Sequence, residues 1–526
     1  MKYVDRSYLL LTYIVLAAVA LNVYQAFGSQ KRASINPVPQ QASKAGINVL
    51  FLMTDQQHHM TLSATGNRTI ETPNLDRLAR QGAMFELATC PTPFCSPTRA
   101  SLITGLWPHT HGVVQNYYHG RNNGLKENDF PNTETMLNKR GYATRHRGKW
   151  HLGPKNDFSC YENTPYAGHD YKKFLNQMLP AKKFADNPGN DKYVDLPVYM
   201  IPEVIKGQTC FHNRYPDSQH KRIAMIGRTA IPVDLLPEAH ITNQVMELIQ
   251  ENAVRNWMIT ASWHPPHAMW VAPEPYYSMI ERSKIKLPDN LNICPEWLQR
   301  GFAKQLGTCM GSEGIREYIG IYQAQVAMID YYVGMVLNKL DELGLTERTL
   351  VIFTSDHGDM QGEHGMVGKS IPVFYEGVIR VPLLIRLPGK IKPGTVIGEP
   401  VSLVDLMPTI LDYVGVPRPT GVQGASLRPL IEGRTKNWQK YSFSERRNLQ
   451  GNDVMLMIRG DRYKYVFREN EKHELYDLLN DPHENENKFT DPASRKIILK
   501  LHNELKRWMK ETRDPYLPKM PDIPFE

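Results

Sequence analysis

The 526-residue chain is long enough for two domains, or for one large domain with an appendage. Its composition, with 41% hydrophobic and 22% charged residues, excludes a chain that is disordered throughout. Lysine and arginine total 62 against 54 acidic residues, so the net charge is a mild +8 that is spread along the chain. This charge suits an anionic substrate and gives no reason to predict nucleic acid as a partner.

The N-terminus has the features of an export signal. An apolar run from Tyr8 to about Leu21 follows two basic residues, and it is shorter than the ~20 residues that a membrane-spanning helix needs. Residues 26–28 give the small-x-small pattern that suits signal peptidase. We therefore predict a cleaved signal peptide over residues 1–28 and a linker over residues 29–46. The mature protein would be periplasmic or secreted, without stable membrane insertion, and an uncleaved anchor is the alternative.

Apolar and amphipathic segments alternate along the middle of the chain. The runs at residues 47–56, 256–267 and 349–359 are typical of buried parallel strands, and each ends in polar residues. Residues 72–85 and 318–344 have helical periodicity. This alternation predicts an α/β fold in which a large, mostly parallel sheet lies between helices. Ligands would bind at the carboxyl ends of the strands.

The predicted α/β domain extends over residues 47–435. Within it, residues 154–230 are rich in Tyr, Lys, Asn and Pro and have little periodicity, which predicts an insertion near the functional site. The remaining residues, 436–526, contain short alternating segments followed by a helical segment at residues 493–513. They predict a smaller α+β domain with a short antiparallel sheet.

One short segment carries the most specific functional signal. Residues 89–105 read TCPTPFCSPTRASLITG, in which Cys95, Pro97 and Arg99 form the pattern Cys-x-Pro-x-Arg. This pattern resembles the signature of the type I sulfatases, a family in which a maturation enzyme oxidises the cysteine to formylglycine. The pentad is short, so the resemblance depends on further matches along the chain.

Further segments resemble sulfatase blocks and follow one another in the order of the family. They are GKWHLG at residues 148–153, SWHPPH at 262–267, SDHGDMQGEHG at 355–365 and GKSIPVFYEGVIRVPLLIR at 368–386. The resemblance covers most of residues 47–487 and implies the fold of the alkaline-phosphatase-like superfamily, in particular that of exported bacterial polysaccharide sulfatases. It leaves the individual substrate open.

The resemblance implies that Cys95 becomes formylglycine through a formylglycine-generating enzyme. One hydroxyl of the hydrated aldehyde would attack sulfur and displace the alcohol, and the other would then collapse to the aldehyde and expel sulfate. In an arbitrary exported protein, a buried or disulfide-bonded cysteine is the alternative. The pairing of the remaining five cysteines is open: Cys90, Cys160, Cys210, Cys294 and Cys309.

The resemblance also implies one Ca²⁺ ion. Its ligands would be Asp55, Gln56, Asp356 and His357 together with residue 95, and hard carboxylate oxygens suit this cation. Two of these positions depart from the pattern of many relatives. Gln56 stands where many have Asp, so one negative charge is lost, and His357 stands where some have Asn. The alternative for both aspartates is capping of a strand end.

Cationic and imidazole side chains complete the implied catalytic site. Arg99 would hold the formylglycine and bind the carboxylates of the metal site, and Lys149 and Lys369 would neutralise the sulfate oxygens. His151 would bond to the formylglycine hydroxyl and help to remove its second proton. His267 would protonate the leaving alcohol.

The sequence says less about the substrate. The export signal and the basic, Tyr-rich insertion predict a sulfated polysaccharide or oligosaccharide, because cations pair with sulfates and aromatic faces with sugar rings. The frequency of the family in glycan-degrading bacteria favours a bacterial source. The candidate substrate contacts are His264, Asn116, His58 and His364. Many relatives have a different residue at the position of His264, and surface roles are the alternative for the other three.

Other functions stay open. A phosphonate monoester or phosphodiester hydrolase of the same superfamily can use formylglycine and an Asp-Gln metal pair. Aryl, choline and steroid sulfates are alternative substrates. A two-metal phosphatase needs more Asp and His ligands than the sequence provides. A glycan-binding protein on a degenerate sulfatase scaffold is the non-enzyme alternative, although every catalytic position is filled here.

Overall fold

Continuous apolar runs in the sequence form the central strands of the structure. The predicted signal peptide, and the linker as far as residue 45, lie outside the described residues. The computed structural model describes residues 46–117, 124–126, 128–153, 198–200, 226–229, 231–295, 302–369, 373–448, 450–451 and 453–523.

The strands are numbered in chain order. They are β1 (Asn48–Asp55), β2 (Ala83–Phe85), β3 (Ala88–Thr89), β4 (Ala143–Gly148), β5 (Val198–Met200), β6 (Ile226–Thr229), β7 (Trp257–Pro266), β8 (Trp270–Pro273), β9 (Thr349–Ser355), β10 (Leu383–Arg386), β11 (Thr395–Ile397), β12 (Val401–Ser402), β13 (Ser442–Arg446), β14 (Met455–Arg459), β15 (Tyr463–Arg468) and β16 (Glu474–Asp477).

The α-helices lie between and after these strands. Among the described residues, none of them is both long enough and apolar enough to cross a membrane. They are Pro73–Gln81, Cys95–Thr104, Pro108–His111, Thr133–Asn138, Pro237–Glu251, Tyr276–Met279, Phe302–Glu342, Glu376–Ile379, Leu406–Val414, Arg428–Ile431 and Arg495–Glu511.

Seven strands form the main sheet in the order β11-β2-β10-β9-β1-β7-β4. Strand β1 lies parallel to β9 on one side and to β7 on the other, and β4 continues the parallel arrangement beyond β7. Strand β10 runs antiparallel to both of its neighbours, β9 and β2. The prediction of a large, mixed and mostly parallel sheet is confirmed. Because β1, β4, β7 and β9 share one direction, their carboxyl ends meet at one edge.

Helices cover both faces of this sheet. Alternate residues of β1 point to opposite faces, so Leu50 and Leu52 join one core and Val49, Phe51 and Met53 join the other. The first core also contains helices Pro237–Glu251 and Phe302–Glu342, and the second contains helix Leu406–Val414. Burying each such side chain stabilises the fold by ~1.5–3 kcal/mol. A strand with both faces buried must be apolar throughout, as the sequence of β1 is.

The structure corrects two details of the expected elements. The helix predicted over residues 72–85 ends at Gln81, and Ala83–Phe85 form strand β2. Gly82 allows this change of direction, because a Cβ there would lie 2.3 Å from the carbonyl oxygen of Ile385. The insertion at residues 154–230 also contains regular structure, since its strands β5 and β6 pair with each other and β6 pairs with β8.

The C-terminal part forms a second, smaller sheet. Strands β13 to β16 are antiparallel and follow one another in chain order. The amphipathic helix Arg495–Glu511 packs Ile498, Leu501 and Leu505 into one core with Ile458 of β14 and Phe467 of β15. The predicted α+β unit with a short antiparallel sheet is therefore confirmed, whereas its boundary at residue 435 stays a prediction.

Candidate active site

The carboxyl edge of the main sheet gathers the ends of four strands. Asp55 is the last residue of β1, and Asp356 directly follows β9, which pairs with β1. Lys149 follows β4, and His267 follows β7. These residues lie far apart in sequence and meet here because the four strands are parallel. The structure therefore brings these four residues to one edge of the sheet.

Cys95 is the first residue of the ten-residue helix Cys95–Thr104, and its side chain is 1% exposed. The N-terminus of a helix carries a partial positive charge, which stabilises an anion at this position. The side-chain oxygen of Asn116 accepts a hydrogen bond from the backbone N–H of Ser96 at 3.1 Å. Asn116 therefore supports the start of this helix.

Four side chains around Cys95 could together hold a metal ion. The ligand atoms of Asp55, Cys95, Asp356 and His357 all lie within 4.8 Å of one another, and all four residues are buried. The Cys95 thiol lies 3.2 Å from His357 Nε2 and 3.8 Å from Asp55 Oδ1. His357 Nδ1 lies 2.9 Å from the carbonyl oxygen of Gly358, which can only accept. Nδ1 therefore carries a proton, and Nε2 is the ring nitrogen that faces Cys95.

Arg99 binds both carboxylates of this set. Its Nε donates to Asp356 Oδ2 at 2.8 Å, and its Nη2 donates to Asp55 Oδ2 at 3.2 Å. Its Nη1 donates to the carbonyl of Lys149 at 2.7 Å and to the hydroxyl of Ser262 at 2.9 Å. Arg99 lies one helical turn after Cys95, so a single helix carries both the thiol and the clamp on the carboxylates.

Two lysines contact the same cluster, each through a different residue. Lys149 Nζ forms a short ion pair with Asp55 Oδ2, and Lys369 Nζ lies 3.0 Å from Cys95 Sγ and 3.1 Å from His357 Nε2. Burial alone would raise the pKa of Asp55, but Lys149 holds this pKa well below its usual value. Burial likewise opposes ionisation of Cys95, yet the ammonium groups hold its pKa well below that of a free thiol. The pocket is therefore built to stabilise an anion at residue 95.

Gln56 lies beside this cluster in a strained backbone conformation. Its φ of 66° belongs to the left-handed region, which residues other than glycine seldom adopt. Its backbone N–H donates to Asp356 Oδ1 at 3.1 Å, and its side-chain Nε2 donates to Asp359 Oδ2 at 2.7 Å. The predicted ligand is thus adjacent to the metal-capable set, and its amide oxygen is the atom left to serve a cation.

His264 and His267 form a pair at the end of β7. Their ring centroids are 4.7 Å apart, and His267 Nδ1 lies 2.9 Å from the carbonyl oxygen of Ala268. Burial lowers the pKa of His267 to about 4, and burial together with His267 lowers the pKa of His264 well below its usual value. Both rings are therefore neutral at pH 7 before a ligand binds.

The other predicted site residues have contacts of a different kind. His151, at a φ of 63°, has its Nε2 3.0 Å from the carbonyl of Tyr117, and its buried Nδ1 has no hydrogen-bond partner within the part of the chain that the structure describes. His364 stacks on Tyr375 at 4.2 Å and has its Nδ1 2.7 Å from the carbonyl of Ile293. These contacts tie His364 to the surrounding loops rather than to Cys95. Its predicted contact with substrate stays a prediction.

His58 also has protein partners in the structure. Its ring stacks on His59 with centroids 4.5 Å apart, and its Nδ1 accepts a hydrogen bond from the backbone of Met60. Its Nε2 lies 3.7 Å from Glu363. A substrate contact of His58 stays a prediction as well.

Several further groups support the site and were not predicted from the sequence. Asp359 accepts from the Gln56 side chain, and the Tyr318 hydroxyl donates to Asp359. The Tyr322 hydroxyl donates to the Gln56 carbonyl, and the Ser262 hydroxyl accepts from Arg99. Asp359 stands inside the segment SDHGDMQGEHG, which was a usable signal. The tyrosines lie on a helix more than 250 residues from Gln56 in sequence. Their helical spacing by itself predicts only a buried face.

The predicted chemistry of Cys95 requires a cysteine that is not part of a disulfide. Cys90, Cys95 and Cys294 are free thiols in the structure. Cys160 and Cys210 lie outside the described residues, so their predicted availability for pairing is not tested. The thiol at the site is therefore available for chemistry.

The site combines a buried cysteine at a helix N-terminus with two carboxylates and several cations. This combination is typical of a hydrolase that acts on an anionic ester. Comparison with known proteins gives the family. The family model of the sulfatases matches residues 47–416, and the model of the C-terminal region of N-sulphoglucosamine sulphohydrolase matches residues 362–511. Since the first match covers more than half of the chain, the chain belongs to the sulfatase family and is a sulfuric ester hydrolase.

Individual relatives resemble the chain over most of its length. An arylsulfatase from Clostridium perfringens is 27% identical over 83% of this chain and 89% of its own. An N-acetylglucosamine-6-O-sulfatase from Bacteroides thetaiotaomicron is 26% identical over 92% of this chain and 89% of its own. The structure of a phosphonate monoester hydrolase from Silicibacter pomeroyi superposes with a TM-score of 0.72 at 25% identity, over 90% of this chain and 96% of its own.

Proposed function

We propose that this chain removes sulfate from a sulfated polysaccharide or oligosaccharide, with formylglycine at residue 95 and one Ca²⁺ ion. The observation that carries the proposal is the position of Cys95. Its thiol belongs to the metal-capable set and also lies 3.0 Å from the ammonium nitrogen of Lys369. Such a position suits an oxygen nucleophile that approaches a negatively charged ester.

The thiol of Cys95 stands where a hydroxyl of hydrated formylglycine would lie. When formed, that hydrate supplies an oxygen nucleophile whose second hydroxyl allows sulfate to leave. The intact pentad from Cys95 to Arg99 supports recognition by a formylglycine-generating enzyme, the predicted maturation partner. That oxidation would precede folding, since Cys95 is 1% exposed in the folded chain.

The donor set fits a hard cation. Asp55 and Asp356 are 0% exposed, and burial and the nearby Asp55 carboxylate raise the pKa of Asp356. Two buried carboxylates this close repel each other, and a divalent cation held between them with Gln56 and His357 would relieve that repulsion. When bound, Ca²⁺ would polarise the nucleophilic hydroxyl and a sulfate oxygen.

The remaining side chains have roles that follow from their positions. Lys149 and Lys369 bring positive charge to either side of residue 95, where the sulfate oxygens would gather charge as the ester bond breaks. The backbone carbonyl of His151 accepts a hydrogen bond from the hydroxyl of Ser96, the residue after the nucleophile, and we propose the His151 ring as the acceptor of the second proton. Arg99 holds Asp55 and Asp356 in place.

His267 is our candidate for the acid that protonates the leaving oxygen. The low pKa of about 4 means that the ring is neutral in the site without substrate. A sulfate monoester carries a negative charge into the pocket, and a nearby negative charge favours the protonated imidazole. His267 would therefore take up its proton as substrate binds and deliver it to the sugar oxygen.

A carbohydrate substrate has support from the relative in Bacteroides thetaiotaomicron, whose name states activity on N-acetylglucosamine 6-O-sulfate. The predicted export signal and the Tyr-rich insertion agree with an extracellular or periplasmic glycan. The test is release of inorganic sulfate from a panel of sulfated glycans and defined oligosaccharides, with a nitrophenyl sulfate as the reference. Turnover of the nitrophenyl sulfate alone would contradict the carbohydrate proposal and favour an aryl sulfate.

Phosphonate monoester hydrolysis is the second candidate. It is favoured by the likeness to the hydrolase from Silicibacter pomeroyi, at a TM-score of 0.72, and by Gln56 in the place of an aspartate. Matched phenyl esters of sulfate and of methylphosphonate separate the two functions, because the leaving group is the same. A higher kcat/KM for the phosphonate ester would overturn the sulfatase preference.

A further inference from the structure

Behind Gln56 lies a buried hydrogen-bond network that contributes no group to the proposed reaction. Its centre is Asp359, which is 0% exposed. The Gln56 side chain donates through Nε2 to Asp359 Oδ2 at 2.7 Å, and the Tyr318 hydroxyl donates to Oδ1 at 2.5 Å. The backbone N–H of Gln361 also donates to Oδ1, at 2.8 Å. Both carboxylate oxygens of Asp359 therefore accept hydrogen bonds from neighbouring protein groups.

The bond to Asp359 decides which end of the Gln56 amide can serve a cation. An amide has a donor nitrogen and an acceptor oxygen, and only the oxygen can bind a hard cation. A carboxylate accepts hydrogen bonds and so captures the nitrogen end. The oxygen of Gln56 is then the end that remains for the metal position. An aspartate in place of Gln56 would need no such partner, because both of its terminal atoms are oxygens.

The same network fixes the backbone of Gln56. The Tyr322 hydroxyl forms a short hydrogen bond to the Gln56 carbonyl and accepts the backbone N–H of His58 at 2.9 Å. Tyr318 and Tyr322 are four residues apart on helix Phe302–Glu342, so they lie on the same face of that helix. Both are 0% exposed. These bonds stabilise the positive φ of Gln56, which would otherwise be costly.

The network also reaches the loop that carries Lys369. The Tyr318 hydroxyl accepts the backbone N–H of Gly368 at 3.2 Å, and the ring of Trp270 packs edge-on against Tyr318 at 4.7 Å. One buried tyrosine therefore connects Asp359 with the residue next to Lys369. The position of the predicted cation ligand and that of the predicted sulfate contact depend on the same group.

We propose that Asp359, held by Tyr318, is a positioning residue that turns the Gln56 amide so that its oxygen faces the cation. Asp359 makes a neutral ligand effective at a position where relatives with an aspartate need no orienting partner. The inference rests on the cation of the proposed function, and Asp359 acts through Gln56.

The test is calcium binding, measured by titration calorimetry on the full mature chain after chelation. The variants are Asp359→Leu, Asp359→Asn, Gln56→Ala and the double variant Asp359→Leu with Gln56→Ala. Removing an outer partner of a metal ligand typically weakens affinity ~10–100-fold, and we expect that loss for Asp359→Leu. Asp359→Asn should lose less, since its oxygen can still accept from Gln56. In the Gln56→Ala background, Asp359→Leu should have no further effect on the Kd.

Asp330→Asn is the matched control. Asp330 is a buried aspartate on helix Phe302–Glu342, the helix that carries Tyr318. Its carboxylate accepts from Asn74 and from the backbone N–H of Leu75 at 2.7 Å. We expect this variant to unfold at a lower temperature and to keep the calcium Kd of the wild type. That result would separate orientation of Gln56 from a general loss of stability.

The outcomes distinguish this inference from the proposed function. Wild-type protein that binds no calcium overturns the proposed cation and the role of Asp359 with it. If the wild type binds calcium and Asp359→Leu binds equally well, only the positioning role is overturned. The same holds if Asp359→Leu weakens binding by the same factor with and without Gln56. If Asp359→Leu fails to fold, the other two single variants decide. The positioning role is overturned if Asp359→Asn and Gln56→Ala both bind calcium with the Kd of the wild type.

Discussion

The active-site cluster around Cys95 and a second network of buried charge differ in how their charges are balanced. The second network, called here the junction network, consists of Glu376, Arg459, Lys464 and Glu484, and it joins the C-terminal sheet to the main α/β unit. Lys464 is 0% exposed and uses its ammonium hydrogens on Glu376 at 3.1 Å, on the carbonyl of Phe374 at 2.7 Å and on Glu484. Every charge there has a protein partner of opposite sign.

In the active-site cluster, by contrast, one cation has no carboxylate at contact distance among the described residues. Lys369 Nζ contacts the Cys95 thiol at 3.0 Å and His357 Nε2 at 3.1 Å. The positive φ of Gln56 and the repulsion between Asp55 and Asp356 add cost, which the hydrogen bonds of Tyr322 and Arg99 oppose. A network that only stabilises a fold completes its own pairs, whereas this one leaves charge for a ligand to complete.

The largest expected effect is loss of the nucleophile. Cys95→Ser should lower sulfate release by a factor on the order of 10⁶, to the assay background, because no aldehyde can form. Its thermal unfolding temperature should stay close to that of the wild type, since the two side chains have similar size. Cys90→Ser is the matched control, a buried free cysteine that should keep full turnover. Peptide mass spectrometry of active protein should find the aldehyde or its hydrate at residue 95, and full activity from the thiol form would contradict the mechanism.

Loss of one carboxylate should come next. Asp356→Ala removes a hard ligand and leaves Arg99 with one carboxylate fewer, so calcium binding and turnover should both be lost. Breaking a buried charge pair should also lower the free energy of unfolding, by ~3–5 kcal/mol. Calorimetric titration and sulfate release measure the two losses. Turnover that survives complete, verified removal of metal by chelation would show that the cation is not needed.

His267→Ala should give an effect that depends on the substrate. A sugar alkoxide leaves poorly without a proton, so turnover of a sulfated sugar should fall by ~10²–10⁴-fold. A nitrophenyl sulfate should lose much less, because its leaving group is stable as an anion. Steady-state kinetics with both substrates measure the ratio. Equal losses would mean that His267 positions the sulfate and would make Lys369 the leading candidate for the acid.

A substitution in the junction network should have the opposite signature. Lys464→Met leaves Glu376 and Glu484 buried without their shared cation, which should lower the free energy of unfolding by ~3–5 kcal/mol. The kcat of the folded protein should change little, since the network contacts no reacting group. Chemical denaturation and kinetics below the unfolding transition measure the two quantities. A large loss of kcat without loss of stability would remove the distinction between the two networks.

The smallest effect concerns pH and His109, a second contact between the main unit and the C-terminal part. Burial opposes its charge, but Glu445, 2.9 Å away, raises the pKa of His109. The folded state then binds this proton more tightly than the unfolded state. The stability it gives is present below the unfolded pKa of ~6.5 and is lost as pH rises through the folded pKa. His109→Gln should flatten the fall of the unfolding free energy on the alkaline side. An unchanged pH profile would show that the pair contributes nothing.

The family and the sheet could be predicted from local sequence. An apolar run such as that of β1 must be buried on both faces, and a run that ends in Asp55 or Asp356 places a carboxylate at the carboxyl edge of a parallel sheet. The pentad that starts at Cys95, together with the further matching segments in family order, carried the resemblance. Strand β2 escaped prediction because three apolar residues continue the pattern of the preceding helix, and only close packing of Gly82 against Ile385 ends that helix.

Partners that are distant in sequence were decided by the tertiary structure alone. Nothing in the helical pattern of Tyr318 and Tyr322 indicates that their hydroxyls bind Asp359 and the Gln56 backbone, because periodicity specifies a buried face and not what it meets. The neutral state of His267 likewise depends on burial by other segments. The sequence by itself determined which residue types stand at the ends of the parallel strands. The tertiary structure decided their distances, protonation and orientation, since these arise from desolvation and hydrogen bonds between elements that are 300 or more residues apart.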